Sequence, residues 1–311
     1  RPVTSPAEWE VRRRHIVAAL QRVMGSLPNP ARRGALDVVV HEETQLDDGL
    51  VRRKISYQSD ATDRVAAYLF LPPLGSHKSL PAMLCLHPTL KEGKAGPAGL
   101  AGNPQSFYAL ELARRGYVTL APDYPSFGDS KYDFGPQHGY ASGSMKAVWN
   151  NIRAIDLLET LPEVDAARVG VIGHSLGGHN GLFTAVFDSR LKAVVSSCGF
   201  TTLSKDDVPS WTGPVYMPRI RTEFENKAER VPFDFPELIA ALAPRKFMVV
   251  AAEKDSDFDV GGVRETFAAA RQVYKLFGAE ADLTANYPPG PHAFPDEARK
   301  WAYAELDAAL K

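Results

Sequence analysis

From residue 80 onward, short unbroken apolar runs alternate with longer amphipathic stretches, and this alternation leaves few architectures open. The runs "PAMLCLHP", "YVTLAPD", "RVGVIG", "KAVVSSCG" and "KFMVVAA" are too continuously apolar for strands with one wet face, so strands covered on both faces are expected. "NPQSFYALELARRG" predicts a helix capped by Asn103, with Pro104 in its first turn and Gly116 just past its end. Further helices are expected in "SMKAVWNNIRAIDLLETL", from Leu176, in "VRETFAAARQVYKLFG" and in "PDEARKWAYAELDAAL", the last two around a short strand "DLTANYP". Elements in this order give one α/β domain over residues 1–311, with a mostly parallel sheet and helices on both faces.

Two segments depart from the alternation. Residues 1–60 form an N-terminal extension, with a helix over about residues 6–24 and then the segments "ALDVVVHEE" and "VRRKISYQS" joined at "LDDG". With "RVAAYLFLP" these have period-two character and predict an antiparallel start to the sheet. Residues 201–243 carry "SWTGPVYMPRIRTEFENKAERVPFDFPEL", rich in proline and aromatic residues and without a clear period. So long an irregular stretch in a compact domain is usually functional, and it is expected to cap a pocket.

Composition narrows the partners. A formal net charge of −1 gives no electrostatic reason to expect nucleic acid or an anionic membrane. The "RRR" at 12–14 sits inside a helical apolar pattern and is expected to be a solvated helix face. No apolar run approaches the length that spans a bilayer. Cys85 and Cys198 lie in apolar strand-like runs and are expected to be buried free thiols. The chain begins at Arg1 rather than Met, which fits either a removed signal peptide or a disordered leader; compartment and oligomeric state stay open.

The stretch "ARVGVIGHSLGGHNGLF" at 167–183 places a serine between glycines where an apolar strand turns into a helix. A P-loop is excluded, because His179 and Asn180 stand where the phosphate-binding Lys and the Mg²⁺-binding hydroxyl are required. The dinucleotide pattern G-x-G-x-x-G is absent too. A nucleophile elbow accounts for the rest: Gly173 and Gly177 clear space for a tight turn that exposes Ser175. That reading needs an acid beyond a later strand and a histidine near the C-terminus. "KFMVVAAEKDSDF" supplies Asp255 or Asp257, and "PPGPHAFPDEARKWAY" supplies His292.

On "HP" after a strand, "PDYPSFGDS", "GHSLGG", "KDSDF" and "PHAFP", residues 60 to 311 resemble the α/β-hydrolase superfamily, close to its dienelactone hydrolase and acetyl-xylan-esterase-like branch. The resemblance implies the α/β-hydrolase fold with a short cap insertion, and a triad of Ser175, Asp255 and His292. Asp257 is the alternative acid. The chain departs from many relatives in having "HPT" at 87–89 in place of His-Gly, and from the dienelactone enzymes in using serine as the nucleophile. Pro88 has no N–H, so the oxyanion donors expected are the backbone N–H groups of Leu176 and Thr89.

The expected reaction is hydrolysis of a carboxylic ester through an acyl-Ser175 intermediate, with His292 as base and no cofactor or metal. The substrate expected is a small-molecule or carbohydrate ester; acetylated sugar, aryl ester and lactone all remain open. Phe127, Trp211, Tyr216 and Met217 are candidates to line the pocket, whereas Trp149, on a helix with Met145 and Ile152, fits the core better. His174 and His179 flank the serine and are expected to line the pocket or support it. A serine peptidase or amidase, and a non-catalytic binding protein of the same fold, are the rival readings.

Overall fold

The computed structural model describes residues 3–73, 75, 79–134 and 139–311; Arg1 lies outside the described residues. Nine strands form one sheet in the order β1-β2-β3-β5-β4-β6-β7-β8-β9. The first three, β1 (Val39–Gln45), β2 (Val51–Asp60) and β3 (Asp63–Leu71), pair antiparallel, and β3 meets β5 (Val118–Pro122) antiparallel as well. All other pairs are parallel and join β4 (Leu80–Leu86), β5, β6 (Val164–His174), β7 (Leu191–Ser197), β8 (Lys246–Val250) and β9 (Leu283–Asn286). The unbroken apolar runs have the expected cause. Along β4, Ala82, Leu84 and Leu86 enter one core, while Met83 and Cys85 enter the core on the opposite face. Phe247 and Val249 against Met248 and Val250 repeat the division on β8. Side chains alternate across a strand, so only a strand covered twice is apolar at every position.

The larger core is closed by α1 (Pro6–Met24), α3 (Gly143–Thr160), α4 (Leu176–Phe187) and α7 (Val260–Leu276); the smaller is closed by α2 (Tyr108–Arg114) and α8 (Asp296–Leu310). Asn103 caps as expected, accepting from the Gln105 N–H, but it opens a separate 3₁₀ turn over Pro104–Ser106 before α2 begins. Trp149 is buried, and its indole N–H donates to Ser59 O at 2.9 Å. The arginine run is less solvated than its pattern implied. Arg12 pairs with Glu237, and Arg13 donates to Ala241 O and Val186 O, both at 3.1 Å. Among the described residues no helix is long and apolar enough to cross a membrane.

Two buried charge clusters fix segments that local patterning does not. Lys146 on α3 is fully buried, with Nζ 2.8 Å from Asp63 and 3.0 Å from Asp60, and the rings of Tyr132 and Tyr140 face it. It thereby ties the β2–β3 turn to the domain. Just past the carboxyl end of β5, Asp123 accepts from Lys94 N–H and Lys94 Nζ at 2.8 Å and from Asp129 N–H at 2.9 Å. The Tyr124 N–H donates to His87 Nε2 at 2.9 Å. These bonds join the loop after β4 to the loop after β5.

Residues 201–243 form a chain of short turns with two helical pieces, α5 (Arg219–Thr222) and α6 (Phe235–Ala240). Its aromatic and apolar residues, including Met217, Ile220, Phe233 and Phe235, pack into the larger core.

Candidate active site

The sheet order places β4 between β5 and β6, so the connections leaving β4 and β5 run to opposite sides. Ligands in such sheets bind in the crevice at the carboxyl ends of the strands, where the order reverses. Thr89 follows β4 and Ser175 follows β6 at that point.

Ser175 has φ 54° and ψ −120°, a strained conformation for a residue with a side chain. The turn is pinned by Ser175 N–H to Ser197 O and by Gly178 N–H to Ser175 O, both 2.8 Å. Its neighbours must be glycine. A Cβ on Gly173 would lie 2.2 Å from the Gly177 carbonyl carbon, and one on Gly177 would lie 2.0 Å from Leu86 O. Both obstacles are backbone and have nowhere to go. Among the described residues neither Leu176 N–H nor Thr89 N–H has an acceptor, and Leu176 opens α4, where the helix dipole adds to its donor strength.

Asp255 lies beyond β8 and His292 beyond β9. His292 Nδ1 lies 2.9 and 3.0 Å from the two carboxylate oxygens of Asp255, whose side chain is only 2% exposed. The same carboxylate accepts the N–H groups of Asp257 and Phe258 at 2.9 and 3.1 Å. Asp257 is 3.8 Å from Nδ1 and its side chain is 59% exposed. Burial opposes the charge on Asp255, yet the bonds from His292, Asp257 and Phe258 together hold its carboxyl below the usual range. Burial likewise pushes His292 down, but the Asp255 hydrogen bond and charge, with help from Asp257, raise it above its ordinary value. The charged carboxylate therefore accepts a hydrogen bond from Nδ1–H and holds the proton on that nitrogen, which leaves the lone pair on Nε2.

The His174 ring lies against His292, with centroids 4.8 Å apart and planes tilted by 41°, and burial, with the His292 charge, drives it down to about 3. It stays neutral, so the imidazolium formed on His292 meets no second cation there. Cys198, at the end of β7, brings its thiol to the same place: Cys198, Asp255 and His292 hold donor atoms within 4.8 Å of one another. The carboxylate and imidazole bond each other, and burial followed by the Asp255 charge pushes the thiol up to about 12. Cys198 is therefore a protonated neighbour of an acid–base pair. Both cysteines are free and buried.

Two clefts meet at Ser175 and share Thr89, Ser175 and Asp257. One, of about 310 Å³, runs beneath the 201–243 segment and is walled by Leu176, His179, Asp206, Trp211, Tyr216 and Phe258. The other, of about 480 Å³, is walled by Leu90, Asn103, Gln105, Ser106, His174 and His292. Trp211 and Tyr216 thus line a cleft with Ser175. Met217 is 1% exposed in the core, and Phe127 packs on His87 and Tyr124, with ring centroids 5.6 and 5.9 Å away; neither lines either cleft. Asp206 had no local signal. Its burial raises the carboxyl to about 6, even though the Trp211 indole N–H donates to it at 3.0 Å.

Residues 83–310 match the model of a family described as "Alpha/beta hydrolase family". The quorum-quenching protein AidA of Acinetobacter baumannii is 31% identical over 148 residues, which is 47% of this chain and 44% of that protein. For AidA and two other curated relatives, the match spans less than half of their own length, between 31% and 44%. The protein "Putative hydrolase YtaP" of Bacillus subtilis is 26% identical over 285 residues, covering 86% of this chain and 85% of its own. Among solved structures, a glucuronoyl esterase from Solibacter usitatus superposes with a TM-score of 0.79 at 21% identity, covering 100% of this chain and 95% of that one.

Proposed function

This chain belongs to the α/β-hydrolase family, and from that membership we propose that it is a serine carboxylic ester hydrolase. One observation carries the reading: a serine held in a strained turn at the meeting of two clefts, one of them lined by His292, which is bonded to the buried Asp255. A serine hydroxyl is a weak nucleophile and needs a base. His292 Nε2 takes the Ser175 proton as Oγ attacks the ester carbonyl, and Asp255 fixes the tautomer and stabilises the imidazolium. The free Leu176 and Thr89 N–H groups receive the oxyanion; such a donor is worth about 3–4 kcal/mol in the transition state. A water activated by His292 then releases the acid. A fluorophosphonate probe is expected to label Ser175, as mapped by peptide mass spectrometry; labelling elsewhere, or none, overturns the proposal.

A carbohydrate-type ester is the substrate class that the cleft supports. At 21% identity the likeness to a glucuronoyl esterase carries the fold alone. The support comes from Trp211 and Tyr216, whose rings suit a sugar face, beside Asp206 and Asp207, which accept hydroxyl hydrogens. If the 201–243 segment limits substrate size, replacing Trp211 and Tyr216 together by alanine changes the ranking of short against bulky p-nitrophenyl esters. A stable double variant with the wild-type ranking would reduce the segment to surface.

The raised His292 sets the pH dependence. Its neutral form is the base, so kcat/KM falls as pH drops through its pKa, which lies above the ordinary 6.5. Asp257→Asn removes one of the charges that raise it, and the acid limb is expected to move to lower pH. A pH–rate profile of both proteins tests this; an unmoved limb would show that the Asp257 charge does not reach the imidazole.

A further inference from the structure

We propose that the two clefts divide the ester between them: the acyl group lies under the 201–243 segment, and the departing alcohol lies against the Asn103–Ser106 turn. This rests on the serine esterase reading. The tetrahedral carbon carries four groups, namely Ser175 Oγ, the oxyanion, the acyl carbon and the alcohol oxygen. The oxyanion is fixed toward Leu176 and Thr89. When the carbon–oxygen bond to the alcohol breaks, its electron pair stays on the alcohol oxygen, which takes from His292 Nε2 the proton that came from Ser175. The alcohol oxygen therefore leaves on the His292 side. His292 and His174 line the cleft with Asn103, Gln105 and Ser106, and neither lines the cleft beneath Trp211 and Tyr216. The acyl group is left with the latter.

The walls match different chemistry. The acyl cleft presents the carboxylates of Asp206, Asp207 and Asp257 together with the Trp211 and Tyr216 rings, and no Lys or Arg lines it. It suits an acyl group with an apolar or hydroxylated face and disfavours one with its own carboxylate. The alcohol cleft shares Asp257 and adds side-chain donors of its own. Gln105 Oε1 is occupied by the Phe294 N–H at 3.1 Å, and Asn103 Oδ1 by the Gln105 N–H at 3.0 Å. Among the described residues the side-chain NH₂ groups of both have no acceptor, so they suit an alcohol bearing further oxygens, as a sugar does.

Two variants separate the clefts. Gln105→Glu keeps the acceptor for the Phe294 N–H and removes the donor. It is expected to lower kcat/KM for an acetylated methyl xyloside about tenfold relative to p-nitrophenyl acetate. Both esters are assayed on the pH plateau of each protein, where His292 is neutral. Deacylation of acetyl-Ser175, measured on the pH plateau, is expected to stay unchanged, because the alcohol has already gone. Trp211→Ala is expected to change the ratio of p-nitrophenyl benzoate to acetate and the deacylation rate, while leaving the alcohol ratio alone. Asn103→Asp and Tyr216→Ala serve as second variants should either first one fail to fold. The division is overturned if the Gln105 and Asn103 variants move the acyl ratio, if the Trp211 and Tyr216 variants move the alcohol ratio, or if no ratio moves. A chain that forms no acyl-Ser175 fails the esterase reading itself, a separate result.

Discussion

Ser175→Ala is expected to lower kcat for p-nitrophenyl esters by about six orders of magnitude while leaving the fold intact. The main chain bears the strain at this position, and alanine has the same Cβ, so the turn at φ 54° accepts it as it accepts serine. Among the described residues the Ser175 hydroxyl has no hydrogen-bond partner to lose. Its companion Ser175→Gly is equally inactive but more stable by about 1 kcal/mol, since glycine enters this region without the Cβ penalty. Steady-state turnover with denaturant midpoints reads both effects. Burst kinetics that persist in Ser175→Ala would remove the nucleophile assignment.

Asp255→Asn is expected to cost up to about four orders of magnitude in kcat, because an asparagine favours the wrong imidazole tautomer. Asp257→Asn should cost far less. Asp255 is buried, contacts Nδ1 through both oxygens and is held by two backbone N–H groups, whereas Asp257 stands 3.8 Å away and largely in solvent. Parallel assays of the two variants decide between the carboxylates. If the larger loss follows Asp257, the acid has been assigned to the wrong residue.

Much of this was legible in sequence because it is local. Continuous apolarity in "PAMLCLHP" and "KFMVVAA" reports two covered faces, and "GHSLGG" reports a turn whose glycines sit against backbone. What stayed hidden depends on residues far apart in the chain. Lysine is a surface residue by habit, and nothing in "SMKAVWNN" announces that Lys146 is buried between Asp60 and Asp63. The alternation of Asp255, Asp257 and Asp259 left the acid open, because only the loop's path turns one carboxylate inward. Cys198 and His174 reach His292 from other strands, and Asp206 loses its solvent to a segment without periodicity. Met217, beside the cleft residues in sequence, follows its apolar character into the core.

The polar lock around Asp123 draws its partners from Lys94 and Asp129, with His87 and Tyr124 alongside, and the Tyr124 hydroxyl carries it on to Val215 O at 2.6 Å. The loop that carries Thr89 is thus anchored from below and tied above to the segment that brings Trp211 and Tyr216, whose carbonyls also accept the Gly143 and Ser144 N–H groups at the start of α3. Floor and roof share one mounting. An exchange in the roof that recasts what the molecule accepts must therefore keep the Val215 carbonyl in place, or the ground on which bond breaking takes place moves with it.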